Sequence, residues 1–185
     1  MRVQNPFNLP PEQLRMNEIV DNYLSVSELL RDDVSALLDR RDDGDPIWRR
    51  AFVRSVVPLI EGFAYSFLSI SHANPELSVE RRKDLNPDSK GSTPARIKLA
   101  LEAAYGQLGI SPPPDFSNHG WQCARQLFAA RDALMHPKTP DSLVYTDAHW
   151  LKILEGATWI MRELFRLPAL MHTKFSEGTA AVWSS

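Results

Sequence analysis

The sequence predicts an all-α fold, a compact bundle of about five helices, from three observations. Apolar residues recur at helical spacing in several segments, and proline and glycine residues separate these segments. No segment shows the sustained two-residue alternation that is typical of a strand. The chain has 185 residues, of which 43% are apolar and 24% are charged. This composition suits one globular domain that closes a core without metal or disulfide.

The first two predicted helices differ in how their apolar residues are distributed. The first, over residues 11–40, carries one apolar stripe. The second, over residues 46–72, begins at Asp45 and Pro46, which supply an N-cap and a first-turn proline. It is apolar on most sides, so we expect it at the centre of the bundle. Pro58 removes one backbone hydrogen bond and predicts a kink there.

Three further helices and one long loop complete the predicted fold. The helices are expected over residues 93–108, 117–136 and 146–168, with caps at Thr93, at Ser117 or Asn118, and at Thr146. The fourth must end near His136, because Pro137 disfavours helical geometry before it. Residues 73–93 are polar and contain three helix breakers. We expect a mobile or functional loop there.

The predicted organisation is an N-terminal helical extension (1–44), a helical bundle (45–168) and a flexible C-terminal tail (169–185). The single cysteine, Cys123, excludes an internal disulfide and fits a reducing cytoplasm. The longest apolar run, residues 55–70, is too short for a bilayer, so we expect no membrane association.

Most familiar catalytic motifs are absent from the sequence. There is no phosphate-binding glycine loop, no dinucleotide fingerprint and no zinc-protease motif. The five histidines share no metal-ligand spacing. We therefore expect neither a cofactor nor a metal site. The net charge of −2 argues against a protein that coats nucleic acid non-specifically.

One short motif stands out: Arg131, Asp132, three residues and His136, followed by Pro137 and Lys138. Arg131 falls on an apolar stripe of the fourth helix, where an arginine needs an anion or a water-filled groove. Asp132 precedes His136 by one helical turn, so its carboxylate could fix the imidazole tautomer. Arginine neutralises phosphate, and histidine moves protons near neutral pH. The simpler interpretation is that Arg131 forms a structural ion pair with Glu61 or another core acid, and that His136 merely caps its helix.

A polar stripe on the second helix has two interpretations. It consists of Arg50, Arg54, Glu61 and Tyr65. In one interpretation the stripe faces the motif and Glu61 orients Arg131. In the other it is the solvent face of a buried helix.

The apolar stripe of the fourth helix predicts a second copy of the chain. Trp121, Phe128 and Met135 recur on one face, and a short edge helix cannot bury all three. We therefore expect a two-fold interface near this helix.

A long apolar helix, a loop and a late helix that ends in Arg-polar-x-x-x-His-Pro-Lys resemble the HEPN superfamily of compact helical domains. The resemblance covers about residues 45–168 and is carried by Arg131, Asp132 and His136. The sequence has Asp132 where asparagine is common in that family.

The resemblance implies a metal-independent endoribonuclease of a toxin–antitoxin or phage-defence system, formed as a homodimer that joins two motifs in one cleft. The catalytic residues would be Arg131, Asp132 and His136, and Lys138, Arg54 and Glu61 would bind RNA. An antitoxin or another protein is an expected partner. The alternative is a non-catalytic helical module that binds a protein or a nucleotide, as in members of the family that have lost catalysis.

Overall fold

A computed structural model describes residues 31–40 and 44–183, with single positions at 18, 21, 25, 28 and 29, and side chains up to Leu167. No strand occurs among these residues, which confirms the all-α prediction. The five labelled helices are α1 (Pro46–Ala73), α2 (Val79–Asp84), α3 (Thr93–Leu108), α4 (His119–Met135) and α5 (Asp147–Trp183). A 3-10 turn, Pro140–Leu143, lies between α4 and α5.

Helix α1 is the central helix, as its apolar surface predicted. Its side chains contribute the largest share of the core, including fully buried Phe52, Ile60 and Leu68, and it contacts each of the other four labelled helices. The Asp45 side chain accepts a hydrogen bond from the Ile47 amide at 2.8 Å and caps the helix. The helix continues through Pro58 to Ala73.

Helix α1 also passes a length and composition test for a membrane span. It has 28 residues and is long and apolar enough to cross a bilayer by length and composition alone. The helix is longer than the apolar run 55–70 that the sequence analysis weighed against a membrane span. However, 56% of its most apolar window is buried within the chain. Such burial is typical of a core helix in a globular bundle.

The predicted N-terminal extension is described only in part. Residues 31–38 are helical, and Val34 is buried in the same core as α1. Most of the remaining predicted helix over 11–40 lies outside the described residues.

The predicted loop over residues 73–93 contains structure that the sequence did not indicate. The Ser78 hydroxyl accepts from the Arg81 amide at 3.1 Å and begins the short helix α2. The His72 Nδ1 donates to the Arg82 carbonyl oxygen at 2.6 Å. Leu85 is fully buried. One buried leucine anchors the segment, and a single apolar residue has no periodicity to reveal it.

The helix boundaries follow the predicted caps at two of three positions. The Asn118 side chain accepts from the Trp121 amide at 2.9 Å, and the Thr146 hydroxyl accepts from the His149 amide at 3.3 Å. At α3, however, Ser92 occupies the cap position and makes no side-chain capping bond. The hydroxyl of Thr93, the predicted cap, donates a hydrogen bond to Glu61 on α1.

Helix α5 is longer than predicted. It was expected to stop at Pro168, yet its backbone stays helical to Trp183, through most of the predicted tail over 169–185. A proline within a helix removes one hydrogen bond and can bend the helix without ending it.

Helices α4 and α5 form the most extensive helix pairing, and glycine makes their close approach possible. A Cβ atom on Gly156 would overlap the backbone of Cys123 and Ala124. A Cβ atom on Gly120 would overlap the side chain of Trp159. The two backbones therefore meet in direct contact, which no residue larger than glycine allows at position 156.

A buried hydrogen bond joins α3 to α5. The Tyr105 hydroxyl, in a side chain that is 1% exposed, donates to Glu163 Oε2 at 2.7 Å. Arg162 donates to the other carboxylate oxygen, at 3.1 Å. Burial, followed by the hydrogen bond and charge of Glu163, raises the pKa of Tyr105 to about 12.

The substitution Gly156→Ala tests the backbone contact of α4 and α5. We expect a loss of about 1–3 kcal/mol in the free energy of unfolding, because the added methyl meets backbone atoms that cannot move aside. Alanine would otherwise gain up to about 1 kcal/mol in a helix. The matched control is Gly106→Ala, where the methyl meets nothing, and it should leave stability unchanged or higher. Equal urea midpoints for the two variants would contradict the contact.

The Tyr105–Glu163 bond predicts a loss of stability at alkaline pH. The unfolded chain loses the phenol proton near pH 10, whereas the folded chain keeps it until about pH 12. Folding therefore weakens by about 2–3 kcal/mol as the pH rises through this window. Tyr105→Phe should remove this part of the pH dependence, as urea unfolding at pH 9–12 would measure. The exposed Tyr65→Phe should keep it, and identical curves for both variants would exclude the effect.

Candidate functional site

Two carboxylates hold the Arg131 side chain near the end of α4. Its Nη2 lies 3.6 Å from Glu61 Oε2 on α1, and its Nη1 donates to Asp132 Oδ1 at 3.1 Å. The side chain is 30% exposed. The contact of Glu61 with Arg131 is thus present, which agrees with both interpretations of the motif, and part of the Arg131 side chain is accessible to solvent.

Glu61 is itself held on its second oxygen. The Thr93 hydroxyl donates to Glu61 Oε1 at 2.7 Å. Thr93 makes this hydrogen bond and does not cap α3. Thr93 is the first residue of α3. The Glu61 carboxylate therefore joins three helices, α1, α3 and α4, and cannot rotate freely away from Arg131.

The predicted contact of the Asp132 side chain with His136 is not made. The Asp132 carboxylate pairs with Arg131, and only its backbone oxygen accepts from the His136 amide, at 3.0 Å. The backbone leaves helical geometry at His136, with φ −133° and ψ 64°, so its side chain does not stack one turn above Asp132. The imidazole is exposed and makes no polar contact with any described residue.

The remaining predicted binding residues lie around the same end of α4. Lys138 is exposed in the turn that follows His136, and Arg54 is exposed on α1. Burial raises the pKa of Tyr145, and the charges of Arg50 and Arg54 oppose that rise, which places both guanidinium groups near the Tyr145 hydroxyl. The hydroxyl in turn lies 3.5 Å from the carbonyl oxygen that precedes Arg131 in the chain. Arg54 makes no hydrogen bond or ion pair with Arg131 or His136 among the described residues.

A buried arginine that the sequence reasoning missed, Arg49, fixes the residues at the start of α5. Arg49 donates to the Tyr145 carbonyl oxygen at 2.9 Å and to Asp147 Oδ1 at 2.6 Å. Its guanidinium also lies 5.5 Å from the ring centroid of Trp150, a cation–π distance. An arginine within the apolar surface of α1 was the available signal. Its contacts hold the start of α5 against α1.

A cavity of about 340 Å³ opens beside Glu61. Its wall includes one acid, one cation and two hydroxyl groups, from Glu61, Arg96, Tyr65 and Thr93. Arg96 also donates to the carbonyl oxygen of Pro87, which lies in the segment 73–93 that was predicted to be a loop. The volume lies at the small end of the range for ligand pockets in proteins.

A second group of chemistry-bearing side chains, His119, Cys123 and Glu155, meets at the opposite end of α4. The sequence reasoning missed it because it considered only spacing between histidines. The signal was a histidine one turn before a cysteine on one helix. Burial and the Glu155 charge raise the pKa of the Cys123 thiol, the opposite of the shift that activates a cysteine nucleophile.

Comparison of the chain with protein-family models, with curated proteins and with solved structures found no match.

Proposed function

We propose that the chain is a metal-independent endoribonuclease of the HEPN type, acting in the cytoplasm within a toxin–antitoxin or phage-defence system. The observation that carries the proposal is that an arginine held by two carboxylates and an exposed histidine lie at the same end of α4. Arg131 is held by two carboxylates, and His136, five positions later, is exposed. Such a pair can bind a phosphate and move a proton beside it.

In the proposed reaction, RNA supplies its own nucleophile. The ribose 2′-oxygen attacks the adjacent phosphorus, the bond to the 5′-oxygen of the next nucleotide breaks, and a 2′,3′-cyclic phosphate remains. His136 accepts the 2′-hydroxyl proton or donates a proton to the leaving oxygen. Arg131 has five N–H donors, and those not directed at Glu61 and Asp132 can stabilise the phosphate charge.

The other predicted residues take supporting roles in this proposal. Lys138 is an exposed cation two residues after His136, and Arg54 is an exposed cation on α1. In this proposal both contact flanking phosphates. Glu61 becomes a positioning residue, because both its oxygens are engaged by the protein. Asp132 likewise positions Arg131 instead of the imidazole.

The proposal includes a homodimer that joins two motifs. Of the three apolar residues that predicted a partner, Trp121 and Phe128 are buried within the chain, whereas Met135 is 55% exposed. The exposed methionine directly precedes His136. A two-fold contact centred there would bring two copies of His136 together, so that one could accept the proton and the other donate it. An antitoxin is the protein partner that this system would require.

Cleavage of labelled RNA by the purified chain tests the proposal. We expect cleavage that persists in EDTA and leaves 2′,3′-cyclic phosphate ends. His136→Ala should lower the rate by about 10²–10⁴-fold, the usual contribution of general acid–base catalysis, and Arg131→Ala should be similarly inactive. Both side chains lie outside the core, so both variants should fold. Asp132→Asn should retain activity, since the amide oxygen still accepts from Arg131.

The matched control is Arg125→Ala, which removes the same charge from an exposed position on the same helix. It should cleave at nearly the wild-type rate. Equal cleavage by the wild type and His136→Ala, or no cleavage of total cellular RNA by a chain that sediments as a dimer, would overturn the proposal.

A non-catalytic binding module is the second candidate, favoured by the charge around Arg131. Two carboxylates, Glu61 and Asp132, surround one guanidinium, so this local group is net negative and repels phosphate. Retained binding of a protein partner by an inactive chain would support this candidate.

A further inference from the structure

Three side chains of different chemistry converge where α4 begins and crosses α5. His119 Nε2 lies 3.5 Å from Cys123 Sγ, and Glu155 Oε2 lies 3.7 Å from that sulfur and 3.3 Å from that nitrogen. These are a nitrogen, a sulfur and an oxygen donor, one from each residue. All are common ligands of zinc.

The fold brings these atoms together through two independent constraints. His119 and Cys123 are one turn apart on α4, so their side chains lie on one face. Gly156 allows α5 to touch the backbone at Cys123, and this contact places the neighbouring Glu155 against the same face. Cys123 and Glu155 are 32 residues apart in the sequence. The contact of α4 with α5 at Gly156 brings them together.

The separations agree with those of ligands on one tetrahedral ion. Bonds of about 2.0 Å to nitrogen and oxygen and about 2.3 Å to sulfur, at tetrahedral angles, place the ligand atoms about 3.3–3.6 Å apart. The observed separations are 3.3, 3.5 and 3.7 Å, with the shortest between nitrogen and oxygen, as the shorter bonds require. The three ligand atoms would therefore need to move little to bind one ion.

We propose that His119 Nε2, Cys123 Sγ and Glu155 Oε2 bind one zinc-class divalent ion with a fourth position open to solvent. Cys123 is buried, whereas the His119 and Glu155 side chains are 68% and 50% exposed, so the ion would be reached from the surface. A sulfur and a nitrogen ligand select zinc or cobalt over magnesium or calcium. The Cys123 thiol releases its proton to solvent as the ion binds. The resulting thiolate and the Glu155 carboxylate outweigh the charge of nearby Lys152, which opposes binding.

This site is separate from the proposed RNA site. Cys123 precedes Arg131 by eight residues, about 12 Å along the helix. An ion there would join α4 to α5 at their crossing and would leave one coordination position for water or a small ligand. Its presence or absence therefore does not decide the RNA proposal.

Cobalt binding to the full reduced chain tests the site. Because Cys123 is the single cysteine, a sulfur-to-cobalt charge-transfer band can arise only from it. We expect such a band to saturate at one equivalent of Co²⁺, to be displaced by Zn²⁺, and to disappear in Cys123→Ser. Added Zn²⁺ should also raise the Tm of the wild type.

Two variants keep the test decisive if Cys123→Ser fails to fold. His119→Ala and Glu155→Gln change exposed side chains and should fold normally. Loss of even an outer partner weakens metal affinity about 10–100-fold, so each should weaken binding at least tenfold. The controls His149→Ala and Glu102→Gln lie outside the cluster and should bind like the wild type. Absence of the band, or equal binding by wild type, His119→Ala and Glu155→Gln, would show only an ion pair beside a thiol.

Discussion

The backbones of α4 and α5 touch at Gly156, and this contact fixes where both ends of α4 lie. At the first end it brings Glu155 against Cys123. At the other end α4 presents Arg131 to α1. A helix of 17 residues is about 25 Å long and nearly rigid, so a constraint near its first turns also limits the position of its last turn. Both candidate sites therefore depend on the packing of α4 against α5.

The central position of α1 limits where this helix can carry the charged residue that pairs with Arg131 at the C-terminal end of α4. A helix buried on most sides has little room for polar residues, and Glu61 occupies one of its half-exposed positions. There the carboxylate meets Arg131 and the Thr93 hydroxyl. Ion pairs exposed by about a third contribute little stability. We attribute the value of this pair to orientation, because Glu61 limits where the Arg131 side chain can lie.

Sequence patterns predicted the features that depend mainly on residues close together in the chain, such as helix caps and the buried face of a helix. The Asp45 cap, the burial of α1 and the contact of Glu61 with Arg131 followed from patterns within single helices and one pairing hypothesis. The Asp132 carboxylate was assigned to His136, but the chain leaves helical geometry there and Arg131 is the nearer charge. The cluster at Cys123 depends on a tertiary contact, which no spacing within one helix can reveal.

Native-state amide hydrogen exchange tests the dependence on the α4–α5 contact most directly. If this crossing constrains the molecule, the amides of 123–128 and 153–160 should exchange only through global unfolding, with the steepest dependence on denaturant in the chain. Amides of α2 and the turn after His136 should open locally at lower free energy. Exchange of the crossing through local opening, while α1 stays protected, would contradict the claim that the glycine contact organises the fold.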